Sequence, residues 1–352
     1  MSPTPGIAEK AHGIFLIATM GLGFVAALMA EDTFAPLDAS VLDGSWAAAW
    51  EDRLDDGFAP AEWGVTFWGV IEYAVFHQGR PGVVIGEDDW LFTAEEFEHH
   101  PDRQATIARN LDRIAEVQAK LDARGVRLVV ALLPAKARIY DDKVQLPDYA
   151  RAAYPDMKAA LASRGVAVVD LEAPLREARQ TADVFCATDT HWTPYGAHVA
   201  ARSVAAAVSD WTPPSGGHWE SRQEGELTVE GDLLAYVPLG PWQGSLGPGP
   251  ETVPDRVVEG APPAAGGLFG DVEIPVTVVG TSYTADERWG FADELKAALQ
   301  ADVLAAASEG AGPFEPMRDY LQDESFLQTP PQLIVWEVPE RYLPVAVEDG
   351  GA

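Results

Sequence analysis

The chain is 352 residues long and carries 24 Lys and Arg against 55 Asp and Glu, a net charge of −31. That balance excludes nucleic-acid recognition through a broad basic face, and 47% hydrophobic residues with 11 Trp exclude intrinsic disorder. Cys186 is the only cysteine, which excludes a disulfide-stapled scaffold, and the dispersed acidity reads as a self-repelling soluble surface.

Gly13 to Ala30 is an 18-residue run without a charge, about the minimum for a helix that spans a bilayer core. Lys10 precedes it and Glu31-Asp32 follow it. The positive-inside rule therefore puts the short N-terminus in the cytoplasm and the body outside. A retained membrane-anchor helix is expected, with a cleaved signal peptide as the alternative; both export the body. A lone cysteine agrees with an oxidising compartment. Residues 1–30 are thus assigned to the anchor or signal peptide, and 31–78 to a membrane-proximal connector of short helices. Residues 79–352 are assigned to one α/β domain.

Gly79 to Phe92 reads as a β-hairpin around a Gly-Glu-Asp-Asp turn. Residues 102–124 read as an amphipathic helix, because Ile107, Leu111, Ile114, Val117 and Leu121 form one stripe, and Gly125 stops it. Val126–Leu133 is a buried strand ending at Pro134. A helix over 153–164 and a strand at Val166–Leu171 follow. Thr193 and Pro194 open a helix over 194–209 as N-cap and first residue. Residues 238–270 hold seven prolines and read as a Pro/Gly-rich surface insertion. The sheet resumes at Ile274–Val279, with a helix near 287–300 and a last strand at Leu333–Val338. Continuous apolar strands alternating with helices imply a mostly parallel sheet covered on both faces, a three-layer α/β/α sandwich.

Two stretches carry chemistry. Ser282, in Gly280-Thr281-Ser282-Tyr283, follows a buried strand and precedes a helix, at the carboxyl edge where sites gather in open α/β folds. Backbone N–H groups of Ser282 and Gly280 are the candidate oxyanion donors. Taken alone, a Gly-x-Ser segment is also an ordinary turn. In Asp189-Thr190-His191 the two polar side chains at i and i+2 point the same way in an extended loop. The carboxylate can then fix the imidazole tautomer and leave the other nitrogen to take a serine proton. A buried histidine beside a capping aspartate has the same local pattern. Glu95, Glu96, Glu98, His99 and His100 look like metal ligands, but no HExxH-type spacing occurs and no metal or cofactor is expected. Cys186 reads as structural and His198 as a helix-surface residue.

Six collinear stretches are familiar: Gly86–Glu96, Pro134-Ala135-Lys136, Asp189–Ala197, Gly280–Tyr283, Glu309–Pro313 and Trp336–Arg341. Over roughly residues 79–345 they resemble the alginate O-acetyltransferase family, whose catalytic domains are similar to SGNH hydrolases. The resemblance implies Ser282 as nucleophile, His191 as general acid/base and Asp189 as its orienter. It implies acetylation of an exported polysaccharide, with a membrane-bound O-acyltransferase as acetyl source, at the periplasmic face of the inner membrane. In ordinary SGNH hydrolases the Gly-Asp-Ser nucleophile comes first and Asp-x-x-His last. Here Asp-x-His precedes Ser, as in this branch, and Thr281 replaces the Asp.

Lys136 and Arg138, after a buried strand, are candidates to bind an anionic sugar, and Trp192 and Tyr283 to stack on a sugar ring. Arg288 joins them, since a polyanion must overcome the mean field of −31 through a local basic patch; without one, a neutral polysaccharide fits better. A secreted acetylesterase with the same triad is the alternative enzyme. A non-catalytic polysaccharide-assembly subunit is the alternative non-enzyme, and it requires His191 out of reach of Ser282.

Overall fold

The computed structural model describes residues 21, 40, 43–47, 49–50, 59–213, 217–261 and 274–347. The apolar run Gly13–Ala30, apart from Gly21, lies outside the described residues, so the anchor expectation falls there. Among the described residues no helix is long and apolar enough to cross a membrane. The chain divides into two units, one of residues 1–77 with 238–242, the other of 78–237 with 243–352. In the first, among the described residues of the connector, 45–47 and 49–50 are helical, and Ala59–Phe76 is a helix of 18 residues, longer than the short helices expected there.

The second unit is built on a five-stranded sheet. Its strands are β3 (Arg127–Leu133), β4 (Val168–Asp170), β7 (Val276–Gly280), β8 (Val303–Ala307) and β9 (Leu333–Pro339), in the order β4-β3-β9-β7-β8. All four pairings are parallel. Both faces are dry, which is why β3, β7 and β9 are apolar without alternation. Val129, Ala131 and Leu133 of β3, with Val278 and Val335, face the helices Pro194–Ala207 and Phe291–Leu299. Leu128, Val130 and Leu132, with Ile334 and Trp336, face the helices Arg103–Asp122 and Ala153–Ser163. The result is the three-layer sandwich the strand pattern implies. The helix expected near 287–300 is a 3-10 turn, Glu287–Trp289, then Phe291–Leu299, broken at Gly290, whose φ is +67°.

Two smaller pieces complete the unit. Strands β1 (Val83–Ile85) and β2 (Leu91–Thr93) form the expected antiparallel hairpin. Strands β5 (His218–Val229) and β6 (Glu251–Ala261) form a long antiparallel ribbon. The Pro-rich segment 238–270 is therefore more than a surface excursion, since β6 lies within it. Because all five core strands are parallel, the segments leaving β3, β7 and β9 emerge at one edge. That edge gathers Lys136, Ser282 and Glu340 from distant parts of the sequence.

Candidate active site

Ser282 opens a single helical turn, Ser282–Ala285, directly after β7. The side chain of Thr281 caps that turn by accepting from the Tyr283 N–H. The Ser282 amide, first in the turn, has no carbonyl of that turn to donate to and is free to face an oxyanion. Gly280 has a different place from the one expected. It is the last residue of β7, in register with Ala307 of β8, so its backbone belongs to the sheet. What demands glycine there is Glu337 on β9. A Cβ on residue 280 would sit 2.5 Å from Glu337 Oε2 and 2.5 Å from Thr284 Oγ1. Glu337, fully buried, accepts from the Thr281 N–H at 2.7 Å, from Thr281 Oγ1 at 3.0 Å and from Thr284 Oγ1 at 3.2 Å. Burial pushes the Glu337 carboxyl up, and these donors oppose that.

The histidine loop closes on itself. The Cys186 N–H donates to the His191 carbonyl and the Thr193 N–H to the Val184 carbonyl, each at 3.1 Å. Thr193 then caps the next helix by accepting from the Gly196 N–H. Two carboxylates from other segments hold the tip. Glu251 of β6 accepts from Ala187 N, Thr188 N and Thr188 Oγ1. Asp232 accepts from the Thr190 N–H at 2.7 Å. The Tyr283 hydroxyl donates to the Thr190 carbonyl at 2.8 Å and accepts from Arg341 at 2.9 Å.

These supports bring three residues into line. His191 Nε2 lies 2.7 Å from Ser282 Oγ, and His191 Nδ1 lies 2.7 Å from Asp189 Oδ1. Asp189 Oδ1 also accepts from the His191 backbone N–H, and Oδ2 accepts from the Asp232 N–H at 3.1 Å. Burial alone would raise the Asp189 carboxyl. The hydrogen bonds from His191 outweigh it and hold Asp189 below the usual carboxylate range. An ionised Asp189 keeps the proton on Nδ1, which leaves Nε2 as the base toward Ser282. The imidazole lies nearly parallel to the buried Trp289 ring, at 5.6 Å and 18°. The non-catalytic reading required separation of His191 from Ser282, and the 2.7 Å contact removes that ground.

Asp189, His191 and Asp232 also bring ligand-type atoms within 4.8 Å of one another. Each is already engaged by an N–H group, His191 Nδ1 as a donor and the carboxylates as acceptors, so the cluster is a hydrogen-bond network. Of the suspected ligands near residue 96, Glu96 is buried and accepts from the Lys136 and Ala137 N–H groups.

Four of the five expected sugar contacts have another place. Lys136 is 1% exposed and Arg138 5%. Arg138 forms a two-pronged pair with Glu340 and donates to the Ala150 and Arg151 carbonyls. Trp192 and Tyr283 are fully buried, and their rings pack edge to face at 5.3 Å. None of the four has surface to offer a polymer. Arg288 is half exposed and pairs with Asp286. His198 is likewise no free surface residue: Nδ1 lies 2.7 Å from the buried Glu294. Sequence reasoning missed Glu251, Asp232 and Trp289. Glu337 had a signal, a lone acid within an unbroken apolar strand.

Comparison with known proteins places the chain in a family. The model of the family described as the SGNH hydrolase-like domain of acetyltransferase AlgX matches residues 83–340. The probable alginate O-acetylase AlgJ of Pseudomonas aeruginosa is 42% identical over 326 residues, 89% of this chain and 83% of that protein. Its namesake from Pseudomonas fluorescens is 38% identical over 347 residues, 97% of this chain and 88% of that protein. The solved O-acetyltransferase domain of Pseudomonas putida AlgJ superposes with a TM-score of 0.69 at 36% identity, covering 78% of this chain and 96% of that one.

Proposed function

The chain belongs to the SGNH hydrolase-like acetyltransferase family, and from that premise we propose that it is an alginate O-acetyltransferase working through a serine acyl-enzyme. The observation that carries the mechanism is the unbroken line of hydrogen bonds from Ser282 Oγ through His191 to Asp189, each 2.7 Å long. Ser282 attacks the acetyl carbonyl of the donor while His191 Nε2 takes its proton. The tetrahedral oxyanion accepts from the Ser282 N–H. His191 returns the proton to the leaving group, and acetyl-Ser282 forms. An alginate hydroxyl then gives its proton to His191, attacks the acyl-enzyme, and leaves as the acetyl ester, with the proton restored to Ser282.

The relatives named as alginate O-acetylases support alginate as acceptor. The apolar run Gly13–Ala30 supports an anchor, with the catalytic unit on the periplasmic face of the inner membrane. A membrane-bound O-acyltransferase beside it is the source of acetyl groups. The local basic patch expected for a polyanion is not formed by Lys136, Arg138 and Arg288, since the first two are buried and Arg288, half exposed, pairs with Asp286. Alginate as acceptor therefore rests on the named relatives, and Arg288 would contact a uronate carboxylate only by exchanging it for Asp286.

The test supplies an acetyl donor and alginate oligosaccharides to the purified chain and follows the sugars by mass spectrometry. Acetylated oligosaccharide is expected from the native chain and none from Ser282→Ala. Free acetate as the only product would make the protein an esterase and overturn the transferase reading.

A further inference from the structure

Lys136 is buried, and among the described residues no carboxylate oxygen forms an ion pair with its ammonium. Its Nζ donates to three backbone carbonyls: Leu91 at 2.6 Å, Ala187 at 3.0 Å and Asp189 at 2.9 Å. An ammonium has three N–H donors on one atom, so donors and acceptors match. Two of the carbonyls belong to the histidine loop and one is that of Asp189 itself. The Trp90 and Phe92 rings lie 5.2 Å and 5.1 Å from Nζ. The peptide of Lys136 is fixed in turn, because Glu96 accepts from its N–H at 2.9 Å. A buried cation is expensive to keep, and this one contacts no open surface through which to bind substrate.

We propose that Lys136 is a positioning residue of the triad: by holding the Leu91, Ala187 and Asp189 carbonyls together, it fixes the peptide from which the Asp189 carboxylate projects and thereby aims His191 at Ser282. The inference rests on the triad reading above. Guanidinium is no substitute, since its donors lie in a planar fork that cannot converge from one atom. Burial pushes Lys136 down to about 8, opposed by the carboxylates that face it, Asp189 on the histidine loop, Glu251 on β6 and Glu96 after β2. The neighbouring Cys186 thiol is itself pushed up by burial and stays neutral. As the pH rises through that value the amine retains two N–H donors for three carbonyls. One carbonyl is then left without its partner, and the aim of the triad loosens.

The experiment compares native protein, Lys136→Met, Arg138→Met and Ser282→Ala on an acetyl-ester substrate, each with a thermal melt and a pH profile. Arg138 leaves the same strand but contacts no part of the triad, so its variant reports a purely structural loss: a lower Tm with native kcat. Lys136→Met keeps the volume of the stem, and is expected to lose about 10²-fold in kcat, the effect of a misplacement near 1 Å, with KM nearly unchanged. The alkaline fall near pH 8 in the native profile is expected to vanish in that variant. A folded Lys136→Met with native kcat overturns the proposal. Should that variant fail to fold, Lys136→Arg decides on the same readout, because its planar fork cannot converge on the three carbonyls: a folded variant with lowered kcat and native KM supports the proposal, and native kcat contradicts it. Activity retained by Ser282→Ala defeats the triad reading itself, whereas an inactive Ser282→Ala beside a fully active Lys136→Met defeats only the role of Lys136.

Discussion

Replacing Gly280 by alanine tests how the nucleophile is held. The added Cβ would lie 2.5 Å from Glu337 Oε2, 2.5 Å from Thr284 Oγ1 and 3.0 Å from Thr284 Cβ. To reach an ordinary separation of about 3.5 Å, Oε2 must withdraw by about 1 Å. That same oxygen accepts from the Thr281 N–H at 2.7 Å, and a withdrawal of about 1 Å takes the pair beyond hydrogen-bonding range. Overpacking a buried site costs about 1–3 kcal/mol, and leaving a buried hydrogen-bonding group without its partner about 1–3 kcal/mol. The expected loss of stability is about 3 kcal/mol, since relief of the clash and retention of the bond trade against each other. The chain moves at Thr281, one residue before the nucleophile, so a displacement near 1 Å should also lower kcat by about 10²-fold. Urea unfolding of both proteins, with acetyl-ester turnover on the folded fraction, measures the two effects. Stability within about 0.5 kcal/mol of native together with native kcat would refute the reasoning.

Three further outcomes follow from the same contacts. Asp189→Asn keeps the size of the side chain but removes the carboxylate that sets the His191 tautomer, so kcat should fall by about 10⁴-fold with little change in Tm; a loss under tenfold in ester turnover would contradict the role of Asp189. Arg138→Met leaves Glu340 buried beside an empty partner and should lower stability by about 3 kcal/mol; a raised KM for oligosaccharide with native stability would restore the sugar-binding role that burial argues against. Glu294 is held below the usual carboxylate range because hydrogen bonds from His198, Ser221 and Arg256 outweigh its burial. A lowered folded pKa contributes stability that is fully present above the unfolded value and is lost as the pH falls from there through the folded value. Unfolding free energies measured over acid pH should therefore drop more steeply for native protein than for Glu294→Gln, and parallel curves would count against this.

The sheet was legible where burial on both faces leaves a continuous apolar run, as in Arg127–Leu133, Val276–Gly280 and Leu333–Pro339. It was not legible in β8, whose Val-Leu-Ala-Ala-Ala sequence lies at the sheet edge; alanine has low β-propensity and an edge strand has one neighbour to impose its conformation. The helix Ala59–Phe76 is apolar nearly all round, so no period marks it. The triad could be read because its elements are local: Asp and His two residues apart, and Ser at the end of a strand. Its supports could not. Lys136 meets carbonyls 45, 51 and 53 residues away, and a lysine at the end of a strand is ordinarily solvated. The chain's net charge shows the same limit, since composition says nothing of which cations are buried.

The most direct measurement is mass spectrometry of the protein quenched during turnover with an activated acetyl ester, followed by peptide mapping. An acetyl group on Ser282 is expected in the native protein, accumulating further in His191→Ala supplied with a donor reactive enough to acylate it, because deacylation also needs that base. It should disappear when alginate oligosaccharide is added to native protein, with the acetyl group recovered on the sugar. Turnover with no acetyl on Ser282 under any of these conditions, or acetylation at another residue that Ser282→Ala leaves intact, would contradict the account.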